Sequence, residues 1–229
     1  MPSSRSIRTG SESPGSAHRR TVVANVGSTA RANGPAAAGP DAAGAKKLGR
    51  LEVRLSGSGG QGIILAASIL TDAAAQAGWE VVNTQSYGPE ARGGASKAEV
   101  VISDEEVDYP EATEPDITLC LSQAAFDRYA PEAKAGGLVV YDSGLVTPSE
   151  VDGVRLVGAP FTQVAKEHLG KVVVTNIVSL GALTEYLDPI SHEAVEVAVA
   201  RRVPPRFKEL NMKALAAGRQ LGRPAKTSA

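Results

Sequence analysis

Four glycines fall within the six residues Gly57-Ser58-Gly59-Gly60-Gln61-Gly62, between a short apolar stretch, L-E-V-R-L, and a longer segment, Ile63 to Ala77. The longer segment repeats apolar residues at helical spacing until Gly78, so the unit reads as strand, tight loop and helix. Gly57, Gly59 and Gly62 have G-x-G-x-x-G spacing. Glycine admits positive φ and lets backbone N–H groups come close to an anion. The helix N-terminus points at the same place and adds roughly 0.3 to 1 kcal/mol per exposed charge. Gly57, Gly59, Gly60, Gln61 and Gly62 are therefore candidates for holding a nucleotide or CoA phosphate. A tight turn with close helix-to-strand contact needs the same glycines, and both readings stay open.

The rest of the chain alternates in the same way. Trp79 to Asn83 reads as a second strand and Ser96 to Ile102 as a third. D-I-T-L-C-L-S (116–122) makes a strand, Ala124 to Ala135 a helix, and G-L-V-V-Y-D-S (137–143) a further strand. Val154 to Val157 is a further short segment able to pair with the sheet. Helices follow over Thr162 to Leu169, stopped at Gly170, and over Asn176 to Leu187, with Asn176 as a candidate cap. Ser191 suits the N-cap of the next helix, and Arg206 to Ala217 makes the last, which Gly218 is expected to end. This pattern predicts an α/β fold with a mainly parallel sheet and helices on both faces.

A dinucleotide site would also ask for an acid about 20 residues beyond the loop, at the end of the second strand. Asn83, Thr84 and Gln85 stand there, while Glu80 precedes the apolar residues of that strand. This counts against NAD(P) and leaves a CoA or nucleotide phosphate, or no ligand at all.

Residues 1–50 hold eight Lys/Arg and two Asp/Glu, against 16 and 23 in the remainder, so the tail is near +6 and the body near −7. A body of that sign repels phosphate backbones, and no nucleic-acid partner is expected. Residues 1–48 are Ser, Ala, Gly, Pro and Arg without an apolar period and read as a disordered tail, followed by a domain over 49–221 and a flexible C-terminus over 222–229. No secretory h-region and no apolar run of about 20 residues is present, so no membrane partner is expected and the cytoplasm is the expected location. Cys120 is the single cysteine among 229 residues, which excludes an internal disulfide or a four-cysteine cluster held by this chain alone. It reads as a small core residue.

Other residues favour plain roles. Asp104, Glu105, Glu106 and Asp108 read as a solvated turn rather than a metal site. Asp142 and Ser143 close a strand at the edge where α/β proteins place ligands, and a helix cap or turn explains them equally well. His168 and His192 lack neighbours at metal-ligand spacing, and Ser58 lacks a G-x-S-x-G context.

Three blocks carry a family resemblance: R-L-S-G-S-G-G-Q-G-I-I-L-A, N-T-Q-S-Y-G-P-E-A-R-G-G-A-S-K-A-E-V-V-I-S-D and T-N-I-V-S-L-G-A-L. From about Leu51 to Gly218 the chain resembles the gamma subunit of 2-oxoacid:ferredoxin oxidoreductases. Its middle block, Gln85 to Asp104, looks most like the 2-oxoglutarate branch. The resemblance implies a Rossmann-like domain within a multisubunit enzyme that decarboxylates a 2-oxoacid on thiamine diphosphate, passes electrons through iron–sulfur clusters to ferredoxin and releases an acyl-CoA. Alpha, beta and optionally delta subunits are the implied partners, and the isolated chain is expected to be inactive. Within the middle block, Ser86, Tyr87, Glu90, Arg92 and Gly93 are candidates for substrate or interface contact, with the Arg92 guanidinium suited to a carboxylate, a phosphate or a partner's acid. The rival reading is a free-standing CoA- or nucleotide-binding protein without redox activity.

Overall fold

A computed structural model describes residues 48–85 and 94–227, with side chains as far as Arg223. The expected contacts of Ser86, Tyr87, Glu90, Arg92 and Gly93 therefore lie outside the described residues. Among those described, six strands and six α-helices alternate: β1 (Arg50–Ser58), α1 (Ile63–Gln76), β2 (Glu80–Gln85), β3 (Ala95–Ser103), β4 (Ile117–Cys120), α2 (Gln123–Tyr129), β5 (Leu138–Asp142), β6 (Arg155–Ala159), α3 (Phe161–Glu167), α4 (Thr175–Leu183), α5 (His192–Arg202) and α6 (Lys208–Thr227).

The strands form one sheet in the order β2-β3-β1-β4-β5-β6. β1, β4, β5 and β6 pair in parallel, whereas β3 is antiparallel to both β1 and β2. β3 thus runs against the other five strands, and the expected mainly parallel α/β sheet carries one reversed strand. Its insertion moves β2 one place away from β1, by about 4.8 Å more than in an uninterrupted nucleotide-binding half. Glu80 pairs with Ser103 at the start of β2, the wrong end for a ribose contact, as the sequence indicated.

Period-two alternation divides the strands between two faces. Val53 and Leu55 of β1, with Val100 and Ile102 of β3 and Leu119 of β4, join the core under α1, α4, α5 and α6. On the other face Cys120 and Val139 meet Phe126 and Ala130 of α2 and its following 3-10 turn. The same face of β1 carries Glu52, Arg54 and Ser56, all buried. Arg54 Nε donates to Glu99 Oε1 at 2.8 Å, its Nη2 donates to the Ala112 carbonyl at 2.8 Å, and Nη1 pairs with Glu132 Oε2 at 2.5 Å. Its guanidinium also lies 5.4 Å from the centre of the Tyr129 ring. A buried charge is tolerated when its hydrogen-bonding capacity is met in this way.

The last helix corrects one expectation. Gly218 does not end it; α6 continues to Thr227, into the stretch read as a flexible C-terminus. A glycine stops a helix by adopting positive φ, and Gly218 does not do so, unlike Gly78 and Gly170 after α1 and α3. It is there because α6 crosses α4 backbone to backbone: a Cβ on Gly218 would collide with the Val178 carbonyl oxygen and lie 3.0 Å from Ala182 N. Gly181 is its counterpart on α4, where a Cβ would meet the Leu215 carbonyl. Among the described residues no helix is long and apolar enough to cross a membrane.

Candidate functional site

The glycine loop lies at the C-terminal edge of the sheet, between β1 and α1. α1 covers one face and α2 the other, so the ends of β1 and β4 flank the crevice where doubly wound sheets place ligands. The structure brings Gly57, Gly59, Gly60, Gln61 and Gly62 together there and accounts for most of them locally. Gln61 N donates to the Ser58 carbonyl at 3.2 Å, and Ser58 N donates to Gln61 Oε1 at 2.6 Å. Gln61 Nε2 crosses to the Leu121 carbonyl after β4, at 2.9 Å. Gln61 is thus a staple across the crevice, and both its polar side-chain atoms are used within the chain. A Cβ on Gly57 would lie 2.5 Å from Gln61 Oε1, so that position must be glycine for the staple to fold back.

Gly60 and Gly62 adopt φ of 87° and 74°, the left-handed region that other residues enter only with strain. Gly62 is also the N-cap of α1, which has no side-chain cap and no acid in its first turn. The first N–H groups of a helix lack intrahelical partners, and here the exposed Gly59 and Gly60 stand in front of them. That arrangement can take a phosphate oxygen through backbone N–H groups and the helix dipole.

Asn176 is the residue whose place in the site was missed. It is the second residue of α4 rather than its cap, and its Nδ2 donates to the Gly62 carbonyl at 3.1 Å. A Cβ on Gly62 would run into the Asn176 amide, so the starts of α1 and α4 are locked together. The only signal in the sequence is its position within T-N-I-V-S-L-G-A-L.

Asp142 resolves toward the plain reading. Its Oδ2 accepts from Thr162 N at 2.8 Å and Oγ1 at 2.6 Å, and Oδ1 accepts from Gly144 N at 3.0 Å, so it caps α3 and closes a turn. His192 Nε2 lies 2.9 Å from Glu185 Oε1. Cys120 is buried, and burial pushes its thiol up to about 12, partly offset by the hydrogen bond from Ser56 and by Arg54. Among the described residues no three His, Cys, Asp or Glu converge on a metal position.

Residues 52–221 match the model of the family described as pyruvate ferredoxin/flavodoxin oxidoreductase. This chain belongs to that family. Among relatives, the 2-oxoglutarate synthase subunit KorC of Methanocaldococcus jannaschii is 50% identical over 178 residues, covering 76% of this chain and 95% of the other. The ketoisovalerate oxidoreductase subunit VorA of Methanothermobacter marburgensis is 31% identical and covers 78% of this chain, but the match is 38% of VorA. Among solved structures, the gamma subunit of a keto/oxoacid ferredoxin oxidoreductase from Geobacter sulfurreducens superposes with a TM-score of 0.72 at 44% identity, covering 77% of this chain and 98% of that one. The 2-oxoglutarate:ferredoxin oxidoreductase of Magnetococcus marinus, solved with 2-oxoglutarate, coenzyme A and succinyl-CoA bound, gives 0.69 at 28% identity over 78% of this chain and 32% of its own. In the two oxidoreductases with the lower shares, this family domain is about a third of a longer polypeptide.

Proposed function

We propose that the chain is the gamma subunit of a 2-oxoglutarate:ferredoxin oxidoreductase, an assembly that oxidatively decarboxylates 2-oxoglutarate to succinyl-CoA and reduces ferredoxin. The observation that carries this reading is the identity gradient: 50% to a 2-oxoglutarate synthase subunit matched almost end to end, against 31% to a ketoisovalerate subunit. Thiamine diphosphate and the iron–sulfur clusters belong to partner chains of alpha, beta and delta type. One cysteine is too few to hold a cluster by this chain alone, and burial keeps its thiol protonated. A buried free thiol also suits a reducing cytoplasm.

Within the assembly we assign the Gly57–Gly62 loop to a CoA phosphate. The exposed Gly59 and Gly60 amides, with the uncapped start of α1, would hold the phosphate; Gln61 and Asn176 would keep the loop from moving. Ser86, Tyr87, Glu90, Arg92 and Gly93 are proposed to contact the substrate or a neighbouring subunit. When bound, CoA supplies the thiol that accepts the acyl group; this chain only positions it.

The function is tested by purifying the tagged chain anaerobically from its native cells and assaying CoA-dependent 2-oxoglutarate oxidation with a viologen dye. Co-purifying thiamine- and cluster-binding chains with that activity is the expected result, and a solitary protein that binds CoA or a nucleotide would return the rival reading. The loop is tested by hydrogen exchange in the assembled complex. Saturating CoA is expected to slow exchange at Gly59, Gly60 and Ile63 at least threefold, and unchanged exchange there would remove the loop from the CoA site.

A further inference from the structure

The two edges of the sheet differ sharply in charge. The edge opposite the glycine loop carries seven carboxylates between Asp104 and Asp116, with no Lys or Arg among them. At the C-terminal edge, the described segments 57–65, 121–124, 143–149, 160–162 and 170–176 contain a single charged residue, Lys171. Four of the seven large apolar residues left exposed among those described are on this same edge: Ile64, Leu145, Val172 and Val173, at 41%, 45%, 51% and 76% exposure. Ile64 follows the loop at the start of α1. Val172 and Val173 form the 3-10 turn that leads into α4. The Asn176 bond to the Gly62 carbonyl brings those two helix starts together, and Leu145 extends the surface beyond β5.

Depletion of charge with exposed aliphatic side chains is the composition of an interface core rather than of a solvated end. We infer that this edge, centred on Ile64, Val172 and Val173 around the glycine loop, is the surface that another subunit of the oxidoreductase covers, and that its occupant presents an apolar patch. The inference rests on the proposed membership of a multisubunit enzyme and adds the place of contact. Two observations favour a partner subunit over other occupants. In VorA and the Magnetococcus enzyme this domain is one part of a chain roughly three times its length, so relatives carry it next to further protein. The described segments of this edge, with one lysine, also carry too little positive charge for an anionic lipid surface, where each basic residue contributes about 1 kcal/mol. Covering this edge would place the glycine loop at a subunit boundary and shut bulk water out of it, which strengthens its hold on an anion.

The experiment is anaerobic co-purification of the full-length tagged chain with its partner subunits. Wild type is compared with the double variant Val172→Asp, Val173→Asp, with a milder Val172→Ser, Val173→Ser pair, and with Val197→Asp on α5 as an exposed apolar position away from this edge. Wild type and Val197→Asp are expected to retain the partners. The aspartate pair should recover at least tenfold less, and the serine pair an intermediate amount while unfolding within a few degrees of wild type. Full recovery with the aspartate pair overturns the inference, as does a loss confined to self-association of this chain. If wild type itself brings down no other subunit, the oxidoreductase reading fails first and this surface falls with it.

Discussion

Gly218→Ala is expected to lower the unfolding midpoint of the full-length chain by about 5 to 10 °C, a loss of about 2 to 3 kcal/mol. Helix propensity alone predicts the opposite, since alanine is favoured over glycine inside a helix by about 1 kcal/mol. Geometry decides the sign. The added methyl meets backbone on the facing helix, with Val178 C at 2.8 Å and Ala182 N at 3.0 Å, and backbone cannot turn aside as a flexible side chain can. α6 would have to back away from α4, opening the contact that Gly181 and Gly222 also depend on. Ala216→Gly, at an exposed site two residues earlier on α6, is the matched control and should cost only about 1 kcal/mol. Thermal melts followed by circular dichroism would compare them, and a Gly218→Ala protein more stable than wild type would refute the close crossing.

The second large effect is expected at Arg54. Arg54→Met leaves Glu99, whose side chain is 3% exposed, without its buried partner, and breaking such a pair costs about 3 to 5 kcal/mol. Lys97 Nζ also reaches Glu99 Oε1, at 2.7 Å, which places the expected loss at the lower end. Adding Glu99→Gln should restore more than half of it, because the stranded charge disappears while the amide can still accept from Thr84 Oγ1. Urea titrations of the two variants and wild type measure the difference. Equal stability of the single and double variants would mean that packing of the arginine stem, rather than its charge pairing, is what matters.

Much of the architecture was legible because its signals are local. The β1–loop–α1 unit, the positive-φ glycines at Gly78 and Gly170 and the Ser191 cap of α5 each depend on a few adjacent residues, and Ser191 Oγ does accept from Ala194 N at 3.1 Å. What could not be read needed a distant partner. An apolar alternation identifies β3 as a strand but carries nothing about its neighbours or direction, so its reversal between β1 and β2 was hidden. Gly218 looked like a stop because the residue that explains it, Val178, is forty positions away on another helix. In the site, Gly57, Gly60 and Gly62 announced a turn, whereas the bridging role of Gln61 depends on Leu121 and that of Asn176 on Gly62. Nothing near Arg54 in the sequence marks it as buried, and only the fold shows that both faces of β1 are covered.

The mixed order of the sheet also bears on how the chain assembles. β5 and β6 pair across only 17 residues, Leu138 with Arg155, whereas β1 and β4 bring Val53 to Ile117 across 64. Closing the longer loop costs about 1.2 kcal/mol more in chain entropy. The β4–β5–β6 half can therefore organise early, while β1, the first of the described strands in chain order, waits longest for its parallel neighbour. During that wait Glu52 and Arg54 interrupt an otherwise sticky strand with alternating charge, which keeps it from pairing with other nascent chains. The charges that meet in the ion cluster of the finished core are the same ones that break up the apolar run of β1 in the unfolded chain.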